Sequence, residues 1–189
     1  VSGVAMMECK RALVDCEGDI EKALDLLRSN SALKAEKKAT RVAAEGILKT
    51  FSGNTHASLI EINSETDFAA KDANFVTFTE EVGSYISNNK VGNISEIQES
   101  EIEEKRKALI QTIGENIQLR RLETLEFSSD MNSGVYLHSD SKLAAVVVLS
   151  GGDESLAKDI AMHVAAFNPL CLSQADIDPE VLEREKAIY

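Results

Sequence analysis

The residues of this chain that could do proton chemistry gather in one short stretch, Ile60-Glu-Ile-Asn-Ser-Glu-Thr-Asp67-Phe68-Ala-Ala-Lys-Asp72-Ala-Asn-Phe75. Glu65, Asp67 and Asp72 are near enough in sequence to be imagined as an acid–base pair, one carboxyl giving a proton and another taking it. That work needs a nucleophile or a histidine at hand, and neither lies beside them in sequence. Carboxylates also collect at helix N-termini, because the helix dipole favours negative charge there. Capping is the first reading of these residues, contact with a partner the second, and catalysis the last.

The other chemically capable residues are scattered. His56, His138 and His163 have no metal-ligand spacing. His163 falls in the middle of an expected helix, Ala161-Met-His-Val-Ala-Ala, so a packed or half-buried histidine is the first reading and a surface contact the second. Gly151-Gly152 belongs to neither GxxxxGK[ST] nor GxGxxG, and reads as a strand-to-helix turn, not a phosphate loop. Cys9, Cys16 and Cys171 are too few and too far apart for a disulfide framework. Cys9 and Cys16 would share one helix face, but no second ligand pair follows, so free buried thiols are expected. No cofactor, metal or catalytic residue is assigned.

The elements that position the acidic stretch follow from its change of period. Leu59, Ile60 and Ile62 read as the end of a half-buried strand, with Glu61 and Asn63 alternating outward. From Phe75 the apolar residues recur at helical spacing through Phe78, Val82, Tyr85 and Ile86, which predicts a helix over 67–88. Between them Asn63-Ser-Glu-Thr-Asp67 is rich in turn and N-cap residues. Phe68 then sits at the start of the helix. Seven residues before Phe75, it falls within ~20° of that residue on an ideal helix, which makes it the first rung of the core stripe. The alternative leaves it exposed at the helix tip as an aromatic anchor for an interface.

The rest of the chain supplies a frame. Residues 4–29 read as two short helices around the turn Glu17-Gly18-Asp19, with Ile20, Ala23, Leu24 and Leu27 on one side of the second. Residues 30–45 are polar and locally basic and read as a solvated helical linker. A hairpin follows, 46–50 and 57–62, with its turn at Ser52-Gly53-Asn54. Beyond the 67–88 helix come a helix at 97–112, a further strand near Leu119, Leu122 and Leu125, and then an apparent restart. Strands at 134–138 and 143–149 lead to the corner Gly151-Gly-Asp-Glu154 and a helix at 156–167. Both halves run Gly-led strand, turn, strand, acidic corner, helix. The second corner carries Leu156 and no aromatic at its tip, which favours a special task for Phe68. Two related subdomains, each a small antiparallel sheet packed with helices, make the class α+β.

Composition excludes several functions. With 43% hydrophobic and 28% charged residues the chain is an ordinary folding sequence, not a disordered one. The net charge is −12, from 32 acidic against 20 basic residues, which argues against a direct nucleic-acid partner and suits a basic or uncharged protein face. No apolar run approaches the ~20 residues of a membrane span. The chain opens on Val1 and stops inside an apparent helix at Tyr189, as a fragment of a longer protein would.

Four segments bring a family into view. Thr66-Asp67-Phe68-Ala69-Ala70-Lys71-Asp72 resembles the TDFVAKD signature of bacterial-type translation elongation factor Ts. Ala5-Met-Met-Glu-Cys-Lys-Arg-Ala-Leu13 is similar to its MMDCKKAL segment, Ile113-Gly-Glu-Asn-Ile117 to its IGENI segment, and Ile160-Ala-Met-His-Val-Ala-Ala166 to its IAMHVAA helix. They occur in the family's order and span essentially the whole chain. The resemblance implies a guanine-nucleotide exchange factor that binds elongation factor Tu with GDP, promotes GDP release and holds the empty form until GTP binds. It implies a ubiquitin-associated-like (UBA-like) helical module over 1–36, a first core subdomain over 37–127 and a second, incomplete one over 128–189. The partner contacts it carries over are Asp67, Phe68, Met6, Met7, Ile113, Gly114 and His163, with Phe68 as a wedge near the partner's magnesium and phosphate site. The compartment it implies is the cytoplasm, or else a mitochondrion or plastid. The rival expectation is an adaptor or scaffold that binds through the N-terminal helices.

Overall fold

A central strand organises the larger core. In a computed structural model that describes residue 4 and residues 6–188, β1 (Glu45–Ser52), β2 (His56–Ser64) and β3 (Ile117–Glu126) form an antiparallel sheet in the order β1-β2-β3. Residue 5, at the head of the 5–13 segment, and Tyr189, at the end of the expected last helix, lie outside the described residues. β2 is buried along nearly its whole length, and its register pairs Ile62 with Ile47 and Ile60 with both Lys49 and Leu122. A bulge interrupts the pairing with β3: Glu61 faces Arg121 and Ile62 faces Leu119, so Arg120 has no opposite residue. Both arginines reach Glu61, at 2.8 and 2.7 Å. Burial pushes the Glu61 carboxyl up, but the hydrogen bonds from Arg121, Arg120 and Asn63 outweigh it and hold the group below its usual range.

The helices behind this sheet are shorter than their periodicity predicts. The expected 67–88 helix is two helices, the one at the corner a single turn; in chain order they follow an N-terminal pair and are α3 (Asp67–Ala70) and α4 (Ala73–Asn89). Asp72 separates them: its backbone is extended (φ −63°, ψ 138°) and its carboxylate accepts the Asn74 N–H at 2.8 Å, restarting the helix. The expected 97–112 helix is likewise divided into α5 (Ile94–Gln98) and α6 (Glu101–Ile113), where Ser100 caps the Ile102 N–H. A short polar side chain offers the backbone a partner outside the helical ladder, which a count of apolar spacings does not register. Phe75, Phe78, Val82 and Ile86 of α4 join Ile102, Leu109 and Ile110 of α6 in the main core.

The N-terminal pair is α1 (Met6–Asp15) and α2 (Ile20–Lys38). Gly18, at φ +85°, makes the turn, and Asp19 caps α2 by accepting the Lys22 N–H at 3.1 Å. A small cluster of Ala12, Ala23 and Leu27 lies between the helices, with Cys9 and Cys16 packed at its edge. Cys9, Cys16 and Cys171 are in no disulfide and are half-buried, not fully buried as expected. Ile20 and Leu24, expected on the inner face with Ala23 and Leu27, are exposed. The second helix does not end near Arg28: it continues to Lys38, and its basic half is not a solvated linker. Ser31 and Ala35 are buried there, and Ala35 belongs to the main core. Glu8 of α1 accepts from Lys34 of α2 and from Gln111 of α6, the latter at 2.8 Å. Those two hydrogen bonds, Lys34 first, hold its carboxyl below the usual range.

The second sheet has two strands, β4 (Asn132–Leu137) and β5 (Ala144–Leu149), with Val135 opposite Val146. α7 (Glu154–Phe167) packs on it, followed by a 3-10 turn at Gln174–Asp176 and α8 (Pro179–Ile188). Only Ala157 and Ala161 of α7 are buried, and the wholly apolar β5 is mostly half-buried. Gly134 lets helix and strand approach closely: a Cβ there would stand 2.1 Å from the Ala157 carbonyl oxygen. The two sheets are joined where the Leu48 N–H donates to the Ser141 carbonyl at 2.8 Å and the Ser52 and Ser133 hydroxyls meet at 3.2 Å. The class is α+β, as the sequence predicts.

Candidate functional site

The polar corner after β2 is built from its backbone outward. Thr66 is extended (φ −126°, ψ 158°) and its hydroxyl accepts the Ala69 N–H at 3.2 Å, which starts α3. The cap is therefore Thr66, and Asp67 is the first helical residue. Ala69 and Ala70 turn into the protein, and Ala70 joins the main core. Phe68 turns the other way and is 80% exposed, whereas Phe75 is 0% exposed. Sharing a face across seven residues requires one continuous helix, and the break at Lys71-Asp72 removes it. The core-rung reading of Phe68 is thus corrected: the ring stands free on the surface.

Asp67 lies beside it, its carboxylate 2.7 Å from the Lys71 ammonium one turn on. The hydrogen bond from Lys71 holds the Asp67 carboxyl below its usual range, outweighing the opposing effect of desolvation. An exposed aromatic flanked by an ionised carboxylate can dock and repel anions.

The corner is braced by a loop distant in sequence. Gly114 ends α6 in the left-handed region (φ +88°), and its carbonyl accepts from Lys38 of α2. The next residue, Glu115, accepts both the Thr66 N–H at 2.9 Å and the Thr66 hydroxyl proton at 2.7 Å. In return Glu65 accepts the Asn116 N–H at 2.7 Å and lies 3.4 Å from the Arg41 guanidinium. The Asn116 amide donates to the Arg41 carbonyl at 2.8 Å. Asp67 and Phe68 are thereby joined to Ile113 and Gly114 in one hydrogen-bonded assembly. Ile113 is half-buried against the main core and Gly114 is exposed.

The remaining candidates stand on other helices. Met6 and Met7 are 84% and 72% exposed at the start of α1. Glu8 and Gln111 tie that helix to α6, the helix that ends at Ile113 and Gly114. His163 is exposed on α7, not packed as expected mid-helix, and its ring stacks on Phe167 with centroids 4.4 Å apart. Met162, Leu170 and Leu172 are exposed near it in sequence. Glu115, Asn116, Arg41 and Lys38 escape a reading of local pattern, since Ile113-Gly-Glu-Asn-Ile117 announces only a turn; their value lies in contacts across 24 to 76 positions.

Comparison with known proteins bears on the same residues. The family model described as Elongation factor TS matches residues 65–189, starting at Glu65 of the corner. The chain is 48% identical over 190 residues to the elongation factor Ts of Hahella chejuensis, covering 100% of this chain and 65% of that protein. With the elongation factor Ts of Saccharophagus degradans it shares 46% identity over 189 residues, 99% of this chain and 65% of the relative. With that of Marinobacter nauticus the figures are 47% over 189 residues, 99% and 64%. The chain spans about 65% of the length of these relatives.

Proposed function

The chain belongs to the elongation factor Ts family, and from that premise we propose that it is a guanine-nucleotide exchange factor for the GTPase elongation factor Tu. In this reading it binds the GDP form, promotes GDP release and holds the nucleotide-free form until GTP enters. No bond is made or broken on it, so it is not an enzyme in the chemical sense, and its place of work is the cytoplasm. The contact residues are Asp67, Phe68, Ile113 and Gly114 in the braced corner, Met6 and Met7 on the N-terminal helices, and His163 on α7. The units are a UBA-like module over 1–36 and two core subdomains over 37–127 and 128–189.

The observation that carries the reading is Phe68, a large ring exposed on a corner where Glu115 holds the Thr66 N–H and Thr66 caps the Ala69 N–H. A partner shifts a GTPase away from its GDP state only by binding the empty state more tightly, at about 1.4 kcal/mol per tenfold. An aromatic anchor that fills a pocket present only in the open state contributes on the order of 2 kcal/mol or more to that difference. Its cost in side-chain entropy is small, because the ring has two rotatable bonds. Asp67 places a negative charge next to the wedge, where it opposes a phosphate or pairs with donors that have lost one.

The test is the release of a fluorescent GDP analogue from elongation factor Tu. Phe68→Ala is expected to slow the stimulated release roughly tenfold or more while leaving the circular dichroism spectrum and melting temperature unchanged. Wild-type release by the folded variant would remove Phe68 from the mechanism. The exposure of Met6 and Met7 supports a second reading, an adaptor that binds through α1. Under it, a pull-down with elongation factor Tu captures no GTPase, whereas the exchange reading requires capture.

A further inference from the structure

We infer that Glu115, acting with Glu65, is a positioning residue that sets the direction of Phe68 and locks the 64–68 and 113–116 loops into one rigid contact; the inference rests on the exchange reading above. α3 has four residues, too few to hold a helical shape or direction by its own hydrogen bonds. What orients it must come from outside. Beneath, Ala69 and Ala70 are buried. At its head is Thr66, and Thr66 is held by Glu115.

The arrangement follows from counting protons. The Thr66 hydroxyl has one proton and gives it to Glu115 Oε1 at 2.7 Å. Its lone pairs are then free to accept the Ala69 N–H at 3.2 Å and cap the helix. Glu115 Oε2 takes the Thr66 backbone N–H at 2.9 Å, so one carboxylate receives both protons of that residue and fixes backbone and hydroxyl together. Glu65 repeats the pattern in the other direction, taking the Asn116 backbone N–H at 2.7 Å. Each loop supplies the acceptor for the other's backbone, and each loop carries proposed contacts, Asp67 and Phe68 on one, Ile113 and Gly114 on the other. Hydrogen bonds to ionised acceptors are the stronger kind, and two reciprocal ones remove the freedom of either loop to rotate alone. Lys38, donating to the Gly114 carbonyl, extends the assembly to the end of α2.

The experiment is a mutant cycle in the whole chain. GDP-analogue release from elongation factor Tu is followed over a range of concentrations of Phe68→Ala, Glu115→Ala, Glu115→Gln and the Phe68→Ala/Glu115→Ala pair. This separates the maximal rate from the half-saturating concentration, and amide exchange at Thr66 and Asn116 is read alongside. Glu115→Ala is expected to lower the maximal rate about fivefold to tenfold, to raise exchange at Thr66, and to lower the melting temperature by only a few degrees with a native circular dichroism spectrum. Glu115→Gln is expected to keep most of the rate, since its oxygen accepts the Thr66 N–H while its amide donates to the hydroxyl. The pair is expected to lose clearly less than the product of the two single losses, because Glu115 works mainly through Phe68. Should Glu115→Ala fail to fold, Thr66→Val, which removes the hydroxyl from the same contact, replaces it in the cycle. Wild-type release by Glu115→Ala with a freely exchanging Thr66 amide, or losses that multiply in the pair, would overturn the positioning role. Wild-type release by Phe68→Ala would instead overturn the exchange reading itself.

Discussion

The corner at Thr66-Asp67 and the corner at Gly152-Asp153 are reached along the same path, a glycine-containing strand, a turn, a second strand and an N-cap, yet they are finished differently. At the first, Thr66 caps a helix of four residues, Glu115 holds the cap, and the chain restarts at Asp72. At the second, Asp153 accepts the Leu156 N–H at 2.8 Å and leads directly into the fourteen residues of α7. Among the described residues its cross-brace is the Asn132 amide on the Gly152 carbonyl, at 3.1 Å. The first corner shows one exposed ring above buried alanines, whereas the exposed apolar residues of the second, Leu156, Met162 and Phe167, spread along a helix. Repetition of element order reproduces the cap but not the brace. A side chain is aimed only where a second loop closes on the first.

The largest test of this contrast sets Phe68 against Phe75. Phe75→Ala is expected to cost about 3–5 kcal/mol of stability in urea unfolding, because it empties the centre of the main core. Phe68→Ala should fall within about 0.5 kcal/mol of wild type, and similar losses for the two would break the separation of contact from core.

Next come the strand glycines. Gly46→Ala brings a Cβ to 2.2 Å from the Ile62 carbonyl oxygen at a backbone of φ +132°, so clash and strain combine. Gly134→Ala meets a clash with the Ala157 and Lys158 backbone but no positive φ, and is expected to cost about 1–3 kcal/mol, with amide shifts concentrated in β4 and α7. The first substitution should be the more damaging, and shifts from it should run through β1 and β2.

A finer comparison removes the two caps. Asp153→Ala is expected to lower stability by about 1 kcal/mol, the usual effect of losing an N-cap. Thr66→Ala should cost more, about 2 kcal/mol, because Glu115 also loses a hydrogen bond in a half-buried place. Equal losses in thermal unfolding would mean that the brace contributes nothing to stability.

The smallest effect is electrostatic. The Asp67 carboxyl is held low by Lys71, so its folded value lies beneath its unfolded one. Its contribution is complete above the ordinary carboxylate range and fades as pH falls through the lowered folded value. Lys71→Met is expected to raise the Asp67 midpoint in an NMR titration, and a fixed midpoint would assign the shift to the helix terminus instead.

Much of this was legible in the chain. The hairpin of β1 and β2, the sheet of β4 and β5, the capped corner and the stripe from Phe75 to Ile86 all follow from period and turn residues, because each depends on neighbours within a few positions. The one-helix reading of 67–88 failed at Asp72, where a carboxylate captured the Asn74 N–H and began a new helix. The solvated-linker reading of 30–45 failed at Ser31 and Ala35, which α2 presses inward. Two small residues among lysines leave a weak apolar signal.

The sequence by itself determined the family and the class, and proposed the residues that could meet a partner. The tertiary structure alone decided that Phe68 faces solvent and that Glu115 holds its corner. Periodicity extends only as far as one unbroken helix, and the Thr66–Glu115 hydrogen bonds join residues 49 positions apart, a distance that only the folded chain closes.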